Sequence, residues 1–174
     1  YAQESLALAL EHNLTIMGTS DIHGLIDWDY TEKGNQRPIT LVFAKERSIA
    51  SMQEALFAGR TVAVYNDLMV GKAEFLVPLL KASIVIEKAS YAKNTQVLEL
   101  ELKNVTSSDL LFQNESEYSF YDSSPVFEIK AGEIKKVAIK TLVLKDEITL
   151  KLKALGCFTA PKTQPIIQWI IKTK

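Results

Sequence analysis

Cysteine is nearly missing from this chain. Cys157 stands alone among 174 residues, which excludes an internal disulfide framework and any zinc site built on several thiolates. Histidine is almost as scarce: His12 and His23 are the two present, so imidazole chemistry has to rest on those positions. A surplus of one charge is also lacking. Lys and Arg number 20 against 21 Asp and Glu, and a net charge of −1 removes the basic face of a dedicated nucleic-acid-binding protein, so none is expected. Seven glycines and five prolines against 47% hydrophobic residues exclude collagen-like, low-complexity and disordered chains. Long apolar runs are absent too. Residues 75–80 form one of the longest, far short of the ~20 residues of a membrane-crossing helix, and no membrane span is expected.

What is present falls into two patterns. Tyr1 leads directly into helix spacing, with Leu6, Ala7 and Leu10 and no capping residue before them, which reads as a chain entered inside a longer polypeptide. Residues 14–18 then read as a short buried strand that ends in the polar loop 19–24. A polar stretch over 27–37 leads to Pro38 and a strand over 39–44. Ser48 can cap a helix whose Ile49, Met52, Leu56 and Phe57 share a face, and Gly59 closes it before a strand over 61–65. A further helix is expected over 72–80. This order predicts an α/β unit with parallel strands over residues 1–80. From residue 81 the period becomes two: Leu98, Leu100 and Leu102 alternate with Glu99, Glu101 and Lys103, as Ile148, Leu150 and Leu152 do with Lys151 and Lys153. Six or seven such strands predict an immunoglobulin-like antiparallel β-sandwich over 81–174.

One segment carries chemistry. Asp21 and His23 sit two residues apart just past the expected strand at 14–18, so in extended geometry both side chains leave the same side, about 6–7 Å apart at their origins. A carboxylate and an imidazole so placed suit Zn, Mn or Fe better than Ca or Mg. The plainer alternative is that Asp21 caps a turn and His23 is an ordinary loop residue. Ser20 beside them makes no catalytic triad, because neighbours on one short segment cannot align nucleophile, base and orienter.

The run Ile16-Met17-Gly18-Thr19-Ser20-Asp21-Ile22-His23-Gly24 resembles the last metal-ligand motif of the PHP (polymerase and histidinol phosphatase) phosphoesterase family. Downstream, Glu54-Ala55-Leu56-Phe57-Ala58-Gly59-Arg60-Thr61 is similar to that family's closing strand–helix–strand run. The resemblance implies that residues 1–80 are the C-terminal fragment of a PHP-type β/α barrel. It makes Asp21 and His23 metal ligands in a polynuclear site of Zn, Mn or Fe that hydrolyses a small phosphate ester. It also implies an early His-X-His pair and further His and Glu ligands, which this chain lacks. Alone, the chain is therefore expected to bind metal weakly and to be inactive, and no catalytic residue is assigned within it. Residues 81–174 look like the all-β module that some bacterial members carry, which points towards export.

Other residues keep two readings each. Arg60 can bind the substrate phosphate or form a surface ion pair. Asp27, Asp29 and Glu32 can add outer contacts to a metal site or line a solvated loop, and Trp28 and Tyr30 can shape a pocket mouth or pack on that loop. Tyr118, Phe120, Tyr121 and Phe127 can form a ligand stripe, with core packing the stronger expectation. Cys157 is expected to be a small apolar filler. The rival function is a non-catalytic binding module in which the sandwich is the working part, and a homodimer covering an open barrel edge is a third expectation.

Overall fold

A computed structural model describes residues 1–25 and 37–173. In chain order its elements are α1 (Gln3–Glu11), β1 (Ile39–Val42), α2 (Ile49–Phe57), β2 (Thr61–Tyr65), β3 (Leu68–Gly71) and α3 (Ala73–Ser83). Then follow β4 (Ile84–Tyr91), β5 (Val97–Asn104), β6 (Leu110–Asn114), β7 (Val126–Ile129), β8 (Ile134–Lys140) and β9 (Glu147–Leu155). The short β10 (Cys157–Phe158) and β11 (Ile166–Lys172) close the chain. The fold is thus mostly β, and its contacts cluster into two units. One comprises Tyr1–Leu76 with Gly156–Thr163, the other Val77–Leu155 with Gln164–Lys174. No helix among the described residues is long and apolar enough to cross a membrane.

The first unit is built on one sheet in the order β1-β2-β3-β10. The parallel arrangement expected from sequence is overturned here. β1 pairs antiparallel with β2, and β2 with β3; the parallel pair is β3 with β10. The cause lies in the connections. The Phe43 N–H donates to the Arg60 carbonyl at 3.0 Å, so the chain re-enters the sheet beside the point where it left. The helix α2 between these residues is therefore an out-and-back excursion and not a crossover. Ser48 caps it as expected, its hydroxyl accepting from the Ser51 N–H at 3.2 Å. β2 and β3 are joined through Asn66, in the left-handed region at φ 54°, with Tyr65 opposite Leu68; a two-residue turn permits only antiparallel strands. The strand expected at 14–18 does not form.

The second unit is a sandwich of a three-stranded sheet, β4-β5-β8, and a four-stranded sheet, β11-β9-β6-β7, all antiparallel. The period-two pattern becomes its core: Leu98, Leu100 and Leu102 on β5, Leu150 and Leu152 on β9, and Ile167 on β11 are fully buried. Tyr118, Phe120 and Phe127 are buried with them, while Tyr121 is exposed. Phe120 and Phe127 lie 5.5 Å apart and Phe112 meets Trp169 edge-on at 6.4 Å, so three of the four aromatics belong to packing. Cys157 is 1% exposed. Burial, aided by the nearby charge of Asp67, pushes its thiol up to about 12.

Candidate functional site

The segment that leads to Asp21 is held by threonines. Just past the α1 C-cap, Asn13 at φ 52° turns the chain out of the helix. Lys72, buried, donates from Nζ to Asn13 Oδ1 at 2.6 Å and reaches the Asn13 carbonyl at 3.5 Å, placing a cation at a helix C-terminus where it is favoured. Thr15 Oγ1 then donates to Leu56 O at 2.7 Å, and Thr61 Oγ1 to Ile16 O at 2.6 Å. Thr40 Oγ1 accepts from the Gly18 N–H and donates to the Gly18 carbonyl, both at 3.0 Å. Side chains of the sheet thus take the place of a ladder, which is why the expected strand is not one. Gly18 fits here because a Cβ would stand 2.9 Å from Ile39 O and 3.2 Å from Ala63 Cβ.

Asp21 follows in the left-handed region at φ 51°, a conformation that Asp tolerates better than most residues. The turn folds His23 back on it. The ring Nδ1–H donates to the Asp21 carbonyl at 2.7 Å, and Nε2 lies 3.8 Å from Asp21 Oδ1. Both side chains are open to solvent, 90% exposed for Asp21 and 83% for His23. Because a carbonyl only accepts, Nδ1 carries a proton, and in the neutral ring Nε2 is then the acceptor nitrogen. Among the described residues no three His, Cys, Asp or Glu side chains converge as a metal-holding group, so the donor set here is two. His12 lies at the C-cap of α1. Asp27, Trp28, Asp29, Tyr30 and Glu32 lie outside the described residues.

Arg60 faces inward. Nη1 donates to Glu54 Oε1 at 2.8 Å, Nη2 pairs with Glu54 Oε2, and Nε donates to Phe43 O at 3.0 Å. A feature that no motif announced is an apolar cleft of about 390 Å³ in the first unit, lined by Tyr1, Leu6, Ile16, Met17, Val64 and Leu68 among others. The sequence signal for it was the density of apolar residues around 1–18, which reads equally well as buried core.

A family model described as an Ig-like domain matches residues 84–170. A solved two-domain protein from Bacteroides vulgatus, described as containing a predicted PHP-like metal-dependent phosphoesterase, is 30% identical with a TM-score of 0.81. The likeness covers 99% of this chain and 49% of that one. The chain therefore spans about half the length of that protein, with likeness across both of its own units. No curated protein matches it.

Proposed function

Since the chain belongs to the Ig-like domain family through residues 84–170, we propose that it joins such a sandwich to the C-terminal portion of a metal-dependent phosphoesterase acting on small phosphate esters. The observation that carries this reading is the His23 ring: its Nδ1–H is held by the Asp21 carbonyl at 2.7 Å, and Nε2 lies 3.8 Å from Asp21 Oδ1 on the solvent-exposed side. Metal-bound histidines are commonly held through their second nitrogen in this way, which sets the tautomer and the ring orientation.

The donors fit half of a metal site. A carboxylate oxygen and an imidazole nitrogen are suitable ligands, yet a catalytic zinc site usually takes three from protein, and two converge here. The remaining ligands come from polypeptide outside these residues. A divalent metal, when bound, supplies an activated water and charge stabilisation at phosphorus. The part of this chain is to present the two donors. The Thr40–Gly18 clasp anchors the base of the loop, the left-handed Asp21 folds it, and the Asp21 carbonyl orients the imidazole.

The test uses the complete polypeptide and a chromogenic phosphodiester. Asp21→Ala and His23→Ala should each lower turnover by more than about 100-fold. Stability should stay within about ±0.5 kcal/mol, since both side chains are exposed. Metal analysis after dialysis should find stoichiometric metal in the complete polypeptide and none in the 174-residue chain. Full activity in both variants would overturn the reading and leave the sandwich as the working part.

A further inference from the structure

The outer edges of a sheet invite pairing, and natural sheets guard them with charge, proline, bulges, short strands or a covering segment. Among the described residues the sandwich has four such edges, β4, β8, β7 and β11. The first three are guarded. β4 breaks its register between Ile86 and Lys88 and carries Glu87 and Lys88 at that point. β8 is covered by residues 119–121: the Tyr121 N–H donates to Ala138 O at 2.8 Å and the Lys140 N–H to Ser119 O at 3.0 Å. β7 is four residues long and directly follows Pro125. β11 has none of these devices. It runs seven residues along β9 without a register shift, and its only charge is Lys172 at the end. A cleft of about 460 Å³ separates it from Ile86 and Ala89 of β4.

The bonding directions of β11 follow from its register. Pro165 O accepts from the Ala154 N–H, and the Thr173 N–H donates to Asp146 O, both at 2.9 Å, so odd-numbered residues turn their backbone groups towards β9. In an antiparallel strand the intervening residues turn theirs the other way. The N–H and C=O of Ile166, Gln168 and Ile170 thus face outward and take no partner among the described residues. The side chains of Ile166 and Ile170 are 52% and 65% exposed. This row complements itself. Turned about a two-fold axis at Gln168, it sets Ile166 against Ile170 of the partner subunit, with Gln168 meeting Gln168 of the partner subunit. Apolar then faces apolar, no like charges are opposed, and each facing pair exchanges both of its backbone hydrogen bonds. Centred one residue later, on Trp169, the same row would set Ile166 against a lysine.

We propose that β11 is the interface between two copies of this chain, whose four-stranded sheets join edge to edge across a two-fold axis. The edge belongs to the sandwich, and the inference stands whether or not the proposed function does. One pair of strands is a narrow contact, so the dimer depends on concentration.

Sedimentation of the complete polypeptide, joined to amide exchange resolved to single residues, tests it. Between about 1 and 100 μM the mass should move from monomer towards dimer. Over that range the Gln168 and Ile170 amides should slow about threefold or more, while those of Ile167, Trp169 and Ile171, bonded to β9, stay protected throughout. Ile170→Lys places a charge on the row, and Gln168→Pro removes an outward N–H without costing a bond to β9. Each should leave the protein monomeric at the highest concentration with its cooperative melt retained. A monomer at every concentration overturns the proposal. So does a dimer that persists in either folded variant, or one that leaves the Gln168 and Ile170 amides unprotected, since the contact then lies elsewhere. Protection of those amides in a monomer overturns it as well, because the edge is then closed within one chain.

Discussion

The guanidinium of Arg60 engages Glu54 and the Phe43 carbonyl within its own unit, and Glu54 titrates accordingly. The hydrogen bond from Arg60 is the main cause holding the Glu54 carboxyl below the ordinary glutamate range; partial desolvation opposes it. A depressed folded-state pKa stabilises the fold above the unfolded value, roughly pH 4.3, and that contribution is lost as pH falls through the folded value. Thermal melts from pH 6 down to pH 2 should therefore show the first unit of wild type losing stability more steeply than Glu54→Gln; parallel curves would mean the pair contributes nothing measurable. Cys157 behaves in the opposite sense. With its thiol pushed up to about 12 by burial, it should resist a thiol reagent at pH 8 in native protein and react fully in denaturant. Rapid native labelling would show that this side chain opens to solvent. At this scale the sequence showed which two residues lie close, Asp21 and His23, but not how: a left-handed turn at Asp21 folds His23 back onto it in place of the extended segment expected from a spacing of two. The orientation of Arg60 was not, because it depends on Phe43, seventeen positions away, which no local pattern connects to it.

Strands that carry a clean alternation were legible, and strands set by turns were not. β5 and β8 follow the period of two, and the pattern alone selects Leu100 and Ile139 as core; both are fully buried. Cutting either to Ala should cost about 2–5 kcal/mol, measured by urea unfolding, while Lys136→Ala on the 80%-exposed side chain of β8 should stay within about ±0.5 kcal/mol. Equal effects at the two kinds of position would contradict the core described here. β3 escaped the reading although Asn66-Asp67 between two apolar runs is a hairpin signal. The residues 14–18 were misread for a different reason. Their apolar content matches a strand, but their hydrogen bonds go to hydroxyls of Thr40 and Thr61, and the identity of a distant partner leaves no mark on the segment itself.

For the molecule as a whole, the division of the chain into two units does not follow a single cut. β10 returns to the first unit, setting Cys157 opposite Met69 and Phe158 opposite Val70, and the Phe158 ring lies 4.6 Å from Tyr1. A polypeptide ending at residue 81 loses this strand and uncovers Met69 and Val70, which are 4% and 6% exposed in the intact chain. It should show no cooperative thermal transition by circular dichroism, whereas residues 77–174, which keep every strand of the sandwich, should melt cooperatively; a cooperative melt of the shorter piece would show β10 to be dispensable. The same feature bears on how the protein is born. On a ribosome the first unit cannot finish its sheet until Cys157 and Phe158 leave the exit tunnel, and the sandwich likewise waits for β11. The two units thus reach completion close together in time, so a nascent chain stalled just before Gly156 carries two unfinished β edges at once.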